Sequence, residues 1–318
     1  MKKSVNRPLW LFLAIMPALV AALLLAGCKD NTEGPCVDCP PTTVCDTCPP
    51  PVEPPVEPPI EPPVEPPSVC GTVTGTDFSE TAAGLNMEMV FVKCGRIKIG
   101  CDVDTCGELT ESPANLVELS SYYIGKFLVT QGQWNALMDT NPSIFKGDDN
   151  RPVEMVNWND VQAFIEKLNE RSSRKKYRLP TNAEWEYAAR GGAESKGYKY
   201  SGSNIAGDVA WYADNSGGSV DDRSTRPVGT KAPNELGLHD MSGNLWEWVS
   251  DRFGKYAKET PLGTAVVNPK GPETGDDRVI RGGSYTDGMS SCRVSARTRE
   301  APGNTRRFIG FRVALPAE

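Results

Sequence analysis

Apolar residues are distributed along this chain in three regimes, and each predicts a different kind of structure. From Leu9 to Leu25 they run nearly unbroken behind Lys2, Lys3 and Arg7, and the run closes on Leu25-Ala-Gly-Cys28. A positive start, an apolar centre and small residues followed directly by a cysteine describe an export signal of the lipoprotein kind. The run is short for a bilayer span and Pro17 interrupts it, which argues against a transmembrane anchor. Residues 1–27 are therefore assigned as signal peptide, and Cys28 as the lipidated first residue of the mature protein. This places the chain in the bacterial cell envelope, tethered to a membrane on the periplasmic or surface side.

From Pro35 to Pro67 the periodicity vanishes. This stretch holds 14 of the 27 prolines and repeats Val/Ile-Glu-Pro-Pro four times from Val52 to Pro67. Proline fixes φ and removes a donor, so neither helix nor central strand can form, and polyproline II is expected. At about 3.1 Å per residue, Pro49 to Pro67 would reach roughly 60 Å. Residues 28–69 thus read as a semi-rigid linker. Within it, Cys36-x-x-Cys39 and Cys45-x-x-Cys48 are separated by only five residues. Proline crowding disfavours a shared zinc ion there, and an exported setting favours disulfides or cross-links.

Residues 70–318 are long enough for one substantial core. Met89-Val-Phe-Val92 and Arg96-Ile-Lys-Ile-Gly100 predict two short strands around Cys94-Gly95. Thr130 with Gln133 forms a capping box ahead of Trp134, Leu137 and Met138. Asn159 is expected to cap a second helix, in which Val161, Phe164, Ile165 and Leu168 line one apolar face. Thr181 with Glu184 opens a third helix through Trp185, Ala188 and Ala189. Glycine, asparagine and aspartate then recur from Gly197 to Gly237, predicting loops with brief strands and an α+β class.

Composition narrows the chemistry. Beyond Val69 the chain carries 30 basic and 33 acidic residues, so it has no basic surplus for nucleic acid. His239 is the only histidine, which excludes a multi-histidine metal centre and weakens any serine–histidine triad. Cys70, Cys94, Cys101 and Cys106 open the domain; pairing Cys70 with Cys94 and Cys101 with Cys106 is one of several connectivities. Cys292 is then left alone.

Three segments recur in a fixed order: Arg178-Leu-Pro-Thr-Asn-Ala-Glu-Trp-Glu-Tyr-Ala-Ala-Arg190, Gly237-Leu-His-Asp-Met-Ser-Gly-Asn-Leu-Trp-Glu-Trp248, and Arg281-Gly-Gly-Ser284 closed by Gly310-Phe-Arg312. With them the chain, from about Glu88 to Leu315, resembles the formylglycine-generating enzyme (sulfatase-modifying factor) family. The resemblance implies an elaborated C-type-lectin-like fold with few short strands and about three helices. It implies a calcium site at Asp240, Gly243, Leu245 and Glu247, with Asp240 in place of a common asparagine. It places most of Trp134, Trp158, Trp185, Trp211, Trp246 and Trp248 in the core, and assigns Arg178, Arg190, Arg281 and Arg312 to tying loops together. Catalytic members carry two cysteines after Gly-Gly-Ser-Trp/Tyr that bind copper as thiolates, a soft-ligand site. Here Asp287 stands where the first belongs, and Cys292 is the only remaining catalytic candidate. Copper is not expected, and the missing pair argues against catalysis.

Three functional readings follow. The first is a non-catalytic lipoprotein whose lectin-like domain binds a protein or glycan or serves as a structural subunit. The second is a formylglycine-generating-type oxidase acting on a protein cysteine. The third is a display module whose loop from Thr286 to Arg307 varies to meet different ligands.

Overall fold

The computed structural model describes residues 68–101, 109–256 and 264–317. Cys28, the proline-rich repeats, both Cys-x-x-Cys pairs and Cys106 lie outside the described residues.

Three small sheets and four helices make up the described fold, in keeping with the α+β reading. The first sheet is antiparallel throughout: β1 (Phe78–Glu80), β2 (Met87–Val92), β5 (Tyr122–Gly125) and β11 (Ala314–Pro316), in that spatial order. It joins the first and last strands of the domain. In β2, Met87, Met89, Val90 and Val92 are buried while Glu88 is exposed, so the apolar run meets core on both sides. The second sheet has the order β10 (Ile309–Phe311), β6 (Trp246–Arg252), β8 (Arg278–Arg281) and β9 (Arg297–Glu300). β10 runs parallel to β6 and the other pairs are antiparallel. The third holds β3 (Gly95–Ile99), β4 (Asn115–Leu119) and the two-residue β7 (Val266–Val267).

The helices start where side chains satisfy their first amides. α1 (Gln131–Leu137) opens on the Thr130–Gln133 capping box. α2 (Trp158–Arg171) buries Val161, Phe164, Ile165 and Leu168, as its periodicity predicts. Its cap, however, is Asn157 and not Asn159. Asn157 accepts from the Asp160 amide and Asp160 returns a bond to the Asn157 amide, closing the box two residues earlier. α3 (Asn182–Ala189) opens on the Thr181–Glu184 box, and every one of its residues is buried. α4 is a single turn, Ala206–Val209.

Two cores flank this frame. In one, Trp134 stacks on Phe164 with ring centroids 5.4 Å apart, and Phe311 meets both edge-on beside Trp248. In the other, Trp185, Tyr187, Ala188 and Ala189 of α3 pack on Leu119, Tyr122, Ile124 and Val249. Of the six tryptophans expected mostly in the core, Trp134, Trp185, Trp246 and Trp248 are buried; Trp158 and Trp211 are half-exposed. A disulfide joins Cys70 to Cys94. Cys101 is also disulfide-bonded.

Candidate ligand cleft

A helix buried on all sides must neutralise its own charges, because a carboxylate removed from water costs several kcal/mol unless paired. Glu184 accepts two hydrogen bonds from Arg178, each 2.7 Å. Glu186 lies between Arg190 and Arg281, and also accepts the Gly100 amide at 2.7 Å. Burial pushes its carboxyl up, but the two guanidiniums more than offset this and leave it below its ordinary value. Arg281 Nη1 donates to the carbonyls of Ser295 and Ala296, while its Nε is buried without a partner. Arg312 holds Glu247 through two bonds of 2.7 Å and donates to the carbonyls of Gly125 and His239. The four arginines therefore act as ties between elements, as the motif reading expects.

The same network decides the expected calcium set. Both Glu247 oxygens face Arg312, and one also accepts the Trp185 indole N–H at 2.8 Å. Asp240 instead caps the Gly229 amide at 2.8 Å and meets the Asn244 amide at 3.3 Å. Burial raises the Asp240 carboxyl above its usual range despite these bonds. Gly243 supplies a tight turn at φ +79°, where a Cβ would fall 2.4 Å from the Trp211 carbonyl oxygen. Leu245 is buried in apolar surroundings with Leu128 and Tyr285. As placed, both carboxylates of the expected set are engaged by protein donors, Glu247 as the counter-ion of the buried Arg312 guanidinium and Asp240 by Gly229 and Asn244. Among the described residues no group of three or more His, Cys, Asp or Glu side chains could hold a metal.

A different group converges after β8. Gly282 and Gly283 have φ of +96° and +74°, and a Cβ on Gly283 would lie 2.9 Å from the Cys292 sulfur. Only glycine lets the chain pass there. Asp287 follows, and its Oδ2 accepts the Trp246 indole N–H at 2.9 Å and the Ser284 hydroxyl. Its main chain is pinned as well, accepting from the Ala213 amide and donating to the Ser284 carbonyl. Cys292 is the one free cysteine among the described residues, fully buried beside Tyr200, Ala206, Val209 and Ala210. Burial first, and the Asp287 charge second, push its thiol up to about 12.

Asp287 opens onto a cleft of about 340 Å³, lined also by Trp246, Ser290, Arg293, Arg299 and Phe308. Beneath it Arg293 forms two bonds to Glu111, of 2.6 and 2.7 Å, and Ser295 adds a third at 2.8 Å. The Glu111–Arg293 pair is 182 residues apart in sequence, so no local pattern announces it. Trp246 is mostly buried, yet it is cleft wall as well as core, which a tryptophan beside apolar neighbours does not reveal. Arrayed this way, the cleft offers an acid, cationic guanidiniums, hydroxyls and two aromatic faces, but no reactive thiolate.

The family profile described as sulfatase-modifying factor enzyme 1-like domain matches residues 74–317. A protein of Paenibacillus barcinonensis named chaperone protein LppX is 36% identical over 230 residues, covering 56% of this chain and 74% of that protein. The formylglycine-generating enzyme of Streptomyces coelicolor is 39% identical over 184 residues, covering 54% of this chain. The chain spans only 55% of that enzyme's length. Among solved structures, Treponema denticola variable protein 1 superposes with a TM-score of 0.65 at 30% identity, over 76% of this chain and 99% of that one.

Proposed function

The chain belongs to the sulfatase-modifying factor family, and from that premise we propose that it is an exported, membrane-tethered lipoprotein whose domain binds a ligand at the Asp287 cleft without oxidising it. The observation that carries this reading is the pair Asp287 and Cys292. Formylglycine formation in the family draws on two thiolates, and thiolate is the reactive form of cysteine. Here a carboxylate already bonded to Trp246 and Ser284 stands in place of one thiol, and the one thiol that remains in this segment, Cys292, is buried, which pushes it up to about 12. A hard carboxylate oxygen is also a poor ligand for Cu(I).

The ligand fits best as a polypeptide segment. Trp246 and Phe308 offer apolar faces, while Asp287, Ser290 and Arg299 can meet main-chain and charged groups on either side. The word chaperone in the name of the Paenibacillus relative supports a protein ligand, and its Lpp designation is consistent with an envelope lipoprotein. A photo-crosslinker placed at Ser290 of the full lipoprotein in its own envelope tests this. One discrete adduct, lost in Phe308→Ala and Arg299→Glu, is expected. Equal labelling in wild type and both variants would overturn the cleft as the binding site.

One observation favours the display reading as a second possibility. The segment from Thr286 to Arg307 supplies most of the cleft lining, including Asp287, Ser290, Arg293 and Arg299, and the superposing Treponema protein is titled a variable protein. Closely related copies of this gene that differ only in that segment would favour display; uniform copies would remove it.

A further inference from the structure

Four arginines are buried among the described residues, and three of them meet a carboxylate. Arg281 has Glu186, Arg293 has Glu111 and Arg312 has Glu247. The fourth, Arg297, is only 5% exposed and pairs with no acid among the described residues. Its Nε donates to the Thr110 carbonyl at 2.6 Å and its Nη2 to the Gly254 carbonyl at 2.8 Å. The guanidinium carbon stands 3.6 Å from the centre of the Tyr256 ring. Nη1 donates to nothing among the described residues and, unlike Arg281 Nε, is not closed off from solvent. A cation taken out of water without a counter-ion is unfavourable until something neutralises it. One reachable N–H on such a cation points to an anion that belongs there.

The strand register says from which side the anion comes. Side chains alternate along a strand, and across β8 and β9 Arg281 pairs with Arg297 and Ile280 with Thr298. Ile280 and Thr298 line the Asp287 cleft. Arg281 and Arg297 take the opposite face, where Arg281 meets Glu186 of α3. Arg297 borders the cleft as well, but the groups its guanidinium touches, Gly254 and Tyr256, line only a second cavity of about 460 Å³. That cavity is apolar over much of its wall, with Val117 and Val279 buried and Val266 and Pro272 exposed. Arg252, Lys255, Lys270 and Arg297 bring four positive charges to it, against the single carboxylate of Asp251. Asp251 Oδ2 already accepts from the Asn182 amide and the Ser250 hydroxyl.

We propose that this cavity binds an amphipathic carboxylate, whose head accepts from Arg297 Nη1 and whose aliphatic tail runs past Val117 and Val279 to Val266 and Pro272. A cationic ligand would meet four like charges there. A small inorganic anion would leave the apolar wall in contact with water. Lys255 and Lys270, both exposed, draw the anion toward the cavity without fixing it. The proposal does not rest on the reading of the Asp287 cleft.

Titration calorimetry on the full mature chain with octanoate, butanoate and octylamine tests it. Octanoate is expected to bind, butanoate roughly tenfold or more weakly because fewer methylenes leave water, and octylamine not at all. Arg297→Met should abolish octanoate binding. Two further variants keep the test decisive if Arg297→Met fails to fold. Val266→Trp, at an exposed position on the cavity, should weaken octanoate by about tenfold or more, whereas Phe308→Ala, in the cleft, should leave it unchanged. Silence from octanoate would overturn the site, as would octylamine binding equally well or undiminished octanoate binding by a folded Arg297→Met. The reverse pattern, with Phe308→Ala weakening octanoate and Val266→Trp without effect, would place the anion in the cleft and overturn the assignment to this cavity.

Discussion

The motif core of this protein and the loop that follows its Arg281-Gly-Gly-Ser284 segment have different fates. In the core, Glu186 with Arg190 and Arg281, and Glu247 with Arg312 and Trp185, form closed buried networks. These networks hold α3, β6, β8 and the end of the chain in one arrangement. Beyond Gly283, Asp287 lines the cleft, whereas Cys292 is buried away from solvent. The carboxylate is tied to an indole and a hydroxyl, and the thiol is buried. The conspicuous motifs of this chain therefore build the scaffold, whereas the loop from Thr286 to Arg307 supplies most of the cleft lining.

If that contrast is right, the largest effects belong to the core. Glu247→Ala leaves Arg312 buried without its counter-ion, and breaking a buried pair of this kind costs about 3–5 kcal/mol. Denaturant unfolding should show it, with Glu247→Leu/Arg312→Met recovering much of the loss. A loss below about 1 kcal/mol would mean that the pair is not what holds β6 to the chain end.

Asp251 sharpens the comparison, because it is a buried carboxylate without a guanidinium bonded to it. Burial raises it to about 6. The folded chain therefore binds this proton more tightly than the unfolded chain, whose aspartate titrates near about 3.9. Its stabilising contribution is present below that value and is lost as pH rises through about 6. At about 1.4 kcal/mol per unit, the loss amounts to about 3 kcal/mol. Across that window Asp251→Asn should lose about 3 kcal/mol less stability than the wild type. Parallel profiles would contradict the assignment.

The smallest expected effect concerns calcium. With Glu247 facing Arg312 and Asp240 capping Gly229, chelation should leave the melting temperature of the folded domain unchanged. A chelator-dependent fall, restored by added calcium and absent in Glu247→Ala, would show that the carboxylates rearrange around an ion.

How far the sequence disclosed this follows from the range of each interaction. The capping boxes at Thr130 and Thr181 are local, and both were legible, as was the apolar face of α2. The cap of α2 lies at Asn157, two residues before the asparagine the pattern suggests, because Asn157 and Asn159 each stand three positions before a side chain able to return the bond, Asp160 and Gln162. The roles of Arg281 and Arg312 were legible from their motifs, but their partners, 95 and 65 residues away, were not. That distance explains the calcium expectation: Asp240 and Glu247 look convergent in a single loop until Arg312 arrives from the far end of the chain. The cleft and the second cavity are assembled from separate elements, so only the fold brings Trp246 to Asp287, or Arg297 and Val266 into one cavity.

The central claim is that the family fold persists here without the family chemistry. Its most direct test is mass spectrometry of a cysteine-containing sulfatase peptide after incubation with the purified mature protein, copper, O₂ and a thiol reductant. The peptide is expected to emerge unchanged, with wild type and Cys292→Ala indistinguishable. Conversion of the peptide cysteine to the aldehyde by the wild type, lost in Cys292→Ala, would show that one buried thiol suffices and would contradict the account.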